Sequence, residues 1–76
     1  MDIKSKIGLR IKELRSNKKI SQEKLAELAD LDRTYINSVE NGRRNISIEN
    51  VEKITKALDV TLQEFFNEKK FKANGK

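Results

Sequence analysis

The sequence predicts an all-α fold, five short helices packed crosswise into one compact domain. Three observations carry this. Apolar residues recur at intervals of three and four, with no strand-like alternation and no proline. Four times an apolar residue is followed directly by Ser, Asp or Thr, and each time a second apolar residue stands five positions after the first. The chain has 76 residues, enough for one domain. Five helices joined by short connections in that length cannot make a long bundle and must cross in a globule.

The elements follow in order. Ile3, Ile7, Ile11 and Leu14 make one stripe on a first helix, roughly 3–17. Gly8 inside it sacrifices helix propensity, about 1 kcal/mol against alanine, and suits close packing of a neighbour. The four repeated devices are Ile20-Ser21 with Leu25, Leu31-Asp32 with Ile36, Ile46-Ser47 with Val51, and Val60-Thr61 with Phe65. Each is a hydrophobic staple around an N-cap, in which the cap oxygen satisfies an orphan amide and the flanking apolar pair closes over it. Thr61 with Glu64 completes a capping box. Helices therefore start near Gln22, Arg33, Ile48 and Leu62. Gly42 suits the exit of the third helix, and Leu58-Asp59-Val60 separates the last two. One domain is expected over 1–68. The basic tail, 69–76, holds four lysines and little apolar content and is expected to fray.

Composition narrows the function. Net charge is +5 and there is no Cys or His, which removes disulfides, thiolate metal sites, the usual general base and the commonest metal ligand. Catalysis would fall to lysines or to carboxylates that sit at caps and solvated faces, so an enzyme is not expected, and neither is a metal or cofactor. No apolar run approaches the ~20 residues of a membrane span, and no signal-peptide core is present at the N-terminus; a cytoplasmic protein is expected. The basic balance favours polyanions. Its distribution tempers this. Residues 1–19 hold seven Lys/Arg against Asp2 and Glu13, whereas residues 20–46 hold four against five acids. A solvated lysine face on the first helix reads equally well from charge alone.

The informative segment is 21–45, SQEKLAELADLDRTYINSVENGRRN. A short helix, about 22–29, a tight turn at Asp30-Leu31-Asp32 and a second short helix form a helix-turn-helix pattern. Leu25, Leu28, Leu31, Ile36 and Val39 are expected to pack the two helices, with Ala26 and Ala29 allowing close approach. Subtracting them leaves an exposed face of Arg33, Thr34, Asn37, Ser38 and Asn41, with Tyr35 at its margin. Arginine can pair with guanine O6 and N7, asparagine with adenine N6 and N7, and the threonine methyl can touch a thymine methyl. A merely solvated helix would carry Glu–Lys pairs four apart, and this face carries none. Arg43, Arg44 and Asn45 follow the glycine and suit phosphate or the groove edge, or form a solvated loop.

The stretch SQEKLAELADLDRTYINSVENGRRNIS resembles the helix-turn-helix of the Cro/CI-type (Xre-family) bacterial and phage regulators, whose hallmarks include the S-Q-E-x-L-A opening and the E-N-G exit. The resemblance runs from about Ile7 to Phe66 and implies a lambda-repressor-like fold. D-R-T-Y-I-N-S-V-E followed by R-R-N-I-S is most similar to controller proteins of restriction–modification systems. The resemblance implies roles by position. Gln22 would bind a phosphate and buttress the reader. Arg33, Thr34 and Asn37 would read bases. Tyr35, Ser38, Asn41, Arg44 and Asn45 would contact phosphates or flanking bases, and Arg15 and Glu40 would form a structural ion pair. The family usually has glycine where Asp30 stands. Asp tolerates a left-handed backbone better than most residues, at some cost.

The partners expected are a double-stranded DNA operator and a second copy of the chain, with RNA polymerase as a further candidate and no small-molecule effector. Phe65 and Phe66 cannot both face inward on one helix. Phe65 is the staple residue, so Phe66, beside Leu62, either meets a partner protomer or packs under the tail with Phe71. The family's two-fold dimer would set two reading helices about 34 Å apart over a palindrome. The implied protein is a nucleoid-associated transcriptional regulator, activator or repressor, of bacterial or phage origin. The alternative of another class is an antitoxin-like or partner-controlled helical protein-interaction module.

Overall fold

A computed structural model describes residues 1–72. It contains α1 (Ile3–Lys18), α2 (Gln22–Ala29), α3 (Arg33–Glu40), α4 (Ile48–Ala57) and α5 (Leu62–Phe66), followed by a single 3₁₀ turn (Lys69–Phe71), with no strand among the described residues. The all-α, five-helix fold is thus the one the sequence predicts, and all four stapled helices start at the expected residue. Ser21, Asp32, Ser47 and Thr61 each accept a backbone amide of the first turn, and Thr61 and Glu64 complete the capping box in both directions. Asp2 caps α1 in the same way through the Ser5 amide at 2.9 Å.

The exits explain why the connections are so short. α1, α2, α3 and α4 each close with a 6→1 backbone bond, from Ile20 to Arg15, Leu31 to Ala26, Arg43 to Ser38 and Val60 to Thr55. The residue before each donor, Lys19, Asp30, Gly42 or Asp59, is left-handed. In three of the four turns the donor is apolar. Ile20, Leu31 and Val60 thus close one helix and staple the start of the next, so a left-handed residue, an apolar residue and a cap suffice. Asp30 adopts φ 56° and ψ 48° where the family carries glycine. The α3–α4 connection alone departs from this formula, with Arg43, Arg44 and Asn45 inserted between Gly42 and the Ile46-Ser47 staple.

The core joins Ile7 and Ile11 of α1, Leu25, Ala26 and Ala29 of α2, Ile36 and Val39 of α3, Val51 and Ile54 of α4, Leu58, and Phe65 of α5. α1 crosses α3 at Gly8. A Cβ there would collide with the Val39 carbonyl oxygen and lie 2.7 Å from that of Glu40, so the glycine serves the close approach expected of it. Arg10 ties the far end: its guanidinium donates to the Phe65 and Glu64 carbonyls, both at 2.8 Å, covering the C-terminus of α5.

Three expectations need correction. Leu28 does not pack α2 on α3 but is 47% exposed. It lies roughly 100° round the helix from the centre of the face made by Leu25, Ala26 and Ala29. Ile3, placed by periodicity in the core stripe, is 60% exposed, because no element of the described residues covers the outer side of that first turn. The stretch expected as tail begins with a folded turn at Lys69–Phe71. The 3₁₀ turn brings the Phe71 ring against the core, 6.1 Å from Phe65 and 5.1 Å from Phe66, and Lys70 bridges Glu13 and Glu68. The same Lys70 bonds hold the Glu68 carboxyl below its ordinary pKa. The rest of the expected tail, residues 73–76, lies outside the described residues.

Candidate nucleic-acid interface

The cap at Asp32 and the 6→1 closure at Arg43 limit α3 to eight residues. Ile36, Val39 and Glu40 face inward, and the opposite side is polar. Arg33, Thr34 and Asn37 are exposed and line one shallow cleft with Gln22, the first residue of α2. The structure therefore brings together, from two helices on one open face, the four residues to which the resemblance assigns phosphate and base contacts. Asn41 sits at the C-terminus of α3 with its amide on the Asn37 carbonyl, at 3.0 Å. Ser38 is half-buried rather than exposed, behind the others.

The inserted loop flanks this face. Arg44 lays its guanidinium over the Tyr35 ring, 5.0 Å from the centroid, a cation–π contact of about 0.5–1 kcal/mol at an exposed site. The Tyr35 hydroxyl accepts a hydrogen bond from Asn50 Nδ2 at 3.0 Å. Asn50 was not among the expected site residues. Its role depends on α4 lying behind Tyr35, which no local pattern encodes. Arg43 is exposed beyond Gly42. Among the described residues, Arg33, Arg43 and Arg44 pair with no carboxylate, so all three charges remain available to an anion. Arg10 and Arg15 of the more basic first helix are instead committed internally.

Asn45 stands apart from the reading cleft. With Ile3, Ile46, Ile48 and Phe66 it lines an apolar groove between the start of α1, the inserted loop, α4 and α5. Ile48 is 70% exposed and Phe66 is 37% exposed. Phe66 also stacks edge-on against Phe65 and Phe71, at 4.9 and 5.1 Å. It thus packs with Phe71, one of the two alternatives the sequence offers, and leaves part of its ring uncovered. Leu62, on the same short helix, is also exposed. Ile3 was missed as a surface residue because its helical spacing matches a core stripe, and Ile48 was read only as a helix start.

Beneath the reading face lies the ion pair expected from the resemblance. Glu40 is buried, and Arg15 donates Nε to its Oε2 at 2.7 Å and Nη2 to its Oε1 at 3.0 Å. The pairing raises the Arg15 pKa above its ordinary value, the hydrogen bond to Glu40 outweighing the cost of partial burial. Arg15 Nη1 also donates to the Ile20 carbonyl at 2.9 Å. The pair clamps α1, the α1–α2 turn and α3 together, and it keeps an acid off the reading surface.

Comparison with known proteins agrees with this geometry. The helix-turn-helix family model matches residues 11–65. The control protein C.MunI of a Mycoplasma species is 50% identical over 68 residues, covering 88% of this chain and 92% of its own. Among solved structures, the restriction–modification controller protein C.AhdI from Aeromonas hydrophila superimposes with a TM-score of 0.80 at 48% identity, over 83% of this chain and 96% of that one. The controller protein C.Esp1396I, crystallised as a tetramer in complex with its natural 35 base-pair operator, gives 0.83 at 41% identity over 87% of each chain. The chain belongs to the helix-turn-helix family of Cro/CI-type regulators, with restriction–modification controller proteins as its relatives.

Proposed function

We propose that this protein is a sequence-specific transcriptional regulator that binds a palindromic double-stranded DNA operator as a homodimer and controls restriction–modification genes. The observation that carries the proposal is the cleft at Gln22, Arg33, Thr34 and Asn37. It gathers a guanidinium, a hydroxyl and two amides from two helices on one open face, with the arginine free of any carboxylate among the described residues. A helix is about 10–12 Å across with its side chains and the major groove about 12 Å wide, so α3 enters it side-on. Arg33, Thr34 and Asn37 then reach base edges, while Gln22, Tyr35, Asn41, Arg43 and Arg44 take phosphates or flanking bases.

The second copy occupies the apolar groove at Ile3, Ile48 and Phe66, with Leu62 beside it. Exposed apolar residues gathered in one groove favour a protein surface over water. The reading cleft shares no residue with this groove, so the two surfaces do not compete for side chains. C.Esp1396I, crystallised as a tetramer with its operator, supports DNA binding by more than one copy. The protein acts by binding and not by catalysis, and its place of action is the cytoplasm, on the nucleoid. No helix of the described residues is long and apolar enough to cross a membrane.

Selection of bound duplexes from a random library tests the proposal. A two-fold symmetric consensus is expected, and Arg33→Ala should weaken the selected site by about 1–3 kcal/mol and relax one base preference. Absence of any enriched sequence would overturn the reading. Equal weakening on selected and random DNA would reduce Arg33 to a phosphate anchor.

A further inference from the structure

We propose that Glu40 is a positioning residue for base reading: its buried carboxylate sets the direction of a hydrogen-bond relay through Gln22 to Asn37, and so fixes which donor and acceptor α3 offers to a base. The inference rests on the DNA-reading function of the same face and adds to it what governs the reader's polarity.

The relay runs through three hydrogen bonds. The Glu40 side chain is 1% exposed, and an ionised carboxylate only accepts hydrogen bonds. Gln22 therefore turns its amide nitrogen inward, with Nε2 donating to Glu40 Oε1 at 3.0 Å. A primary amide has its nitrogen and oxygen on opposite limbs, so the Gln22 carbonyl is forced outward. There it accepts from Asn37 Nδ2 at 3.1 Å. Asn37 in turn has its oxygen directed away from Gln22, where Asn41 Nδ2 approaches Oδ1 at 3.3 Å.

What remains unused on Asn37 is one hydrogen on Nδ2 and acceptor capacity on Oδ1, side by side on an exposed residue. That pair, in that order, is the complement of adenine N7 and N6. An isolated asparagine in water flips its amide freely and offers the two orders equally. Here a flip at Asn37 would set its oxygen against the Gln22 oxygen. A flip at Gln22 would set its oxygen against a carboxylate. The polarity is thus anchored at the one group in the relay that has no donor, and Arg15, bonded to both oxygens of that carboxylate, fixes it in place.

The test compares base preferences at every position of the duplex selected by the wild-type protein, for Glu40→Gln, Gln22→Ala and Asn37→Ala. Asn37→Ala identifies the base pair that Asn37 reads. Glu40→Gln can donate or accept, so both relay directions become open. At that base pair the preference for the favoured base should fall by roughly tenfold, while the preference assigned to Arg33 is retained. Gln22→Ala leaves the Arg15–Glu40 bonds intact and cuts the relay, so it should flatten the same base pair and also lower affinity for every duplex. This second variant reports even if Glu40→Gln folds poorly. A uniform loss of affinity with an unchanged preference at the Asn37 base pair, in either variant, would make Glu40 a structural tie only and overturn the proposal. If the wild-type protein selects no sequence, it is the DNA-reading function that fails.

Discussion

Gly8→Ala separates two opposite expectations for a single methyl group. On helix propensity alone, alanine inside the sixteen-residue α1 should stabilise by about 1 kcal/mol. The structure reverses the sign. The new Cβ would run into the Val39 carbonyl oxygen and lie 2.7 Å from the Glu40 oxygen and 2.9 Å from its carbonyl carbon. These neighbours are α3 backbone, which has no rotamer with which to step aside. Relief requires α1 and α3 to part by on the order of 1 Å, a gap that forfeits a quarter to a half of the dispersion well for the atoms across it. Overpacking of this kind costs about 1–3 kcal/mol, and rigid neighbours place it at the upper end. After the propensity gain, a net loss of about 2 kcal/mol remains. For a domain this small that is a fall of roughly 8–16 °C in Tm. Far-UV circular dichroism in thermal and urea titrations measures it, at matched protein concentration because self-association shifts the midpoint. A midpoint equal to or above wild type would refute the close-approach argument.

Other expectations concern the dimer face, the loop and the first cap. Phe66→Asp should leave the helical signal intact and shift sedimentation from dimer to monomer. Ile48→Glu, on α4 and outside the Phe65–Phe66–Phe71 stack, should do the same; an unchanged dimer in both would remove this groove from the interface. Arg44→Ala should lower the slope of log affinity against log salt by about one, and an unchanged slope would take Arg44 off the phosphate list. Asp2 titrates below its ordinary 3.8 because its carboxylate accepts from the Ser5 amide. Its folded value is depressed, so the cap stabilises α1 above the unfolded value and is lost as pH falls through the lower folded one. The Ser5 amide shift, followed by NMR, should therefore titrate with a midpoint below 3.8, and Asp2→Asn should abolish the titration; a midpoint at or above the ordinary value would count against the cap.

How much of this molecule was legible in its sequence depends on how local the governing chemistry is. Ser21, Asp32, Ser47 and Thr61 announce their helices because a cap must meet an orphan amide two or three residues on, a constraint contained in the sequence itself. Gly8 was readable for the same kind of reason, as a propensity sacrifice that only a close neighbour repays. Ile3 and Leu28 were misread because periodicity says which residues share a face and not how far the neighbouring elements extend over it. The turn at Lys69–Phe71 was misread because four lysines dominate a composition while one phenylalanine decides the packing.

The reading face divides along the same line. Arg33, Thr34 and Asn37 fell out by subtracting the apolar positions of an eight-residue helix, a local operation. Asn50 behind Tyr35, and Gln22 between Glu40 and Asn37, join residues fifteen to eighteen positions apart, and no periodicity links them. Recognition by exposed side chains is therefore only half specified by those side chains. An amide is symmetric in shape and antisymmetric in hydrogen bonding, so its identity at position 37 names two possible readers. The choice between them lies with a buried group that does not touch the ligand and acts through Gln22. In this chain that choice traces back to a glutamate the sequence marks only as one half of an ion pair, and burial, by removing water as a competing donor, is what lets its acceptor-only character reach the surface.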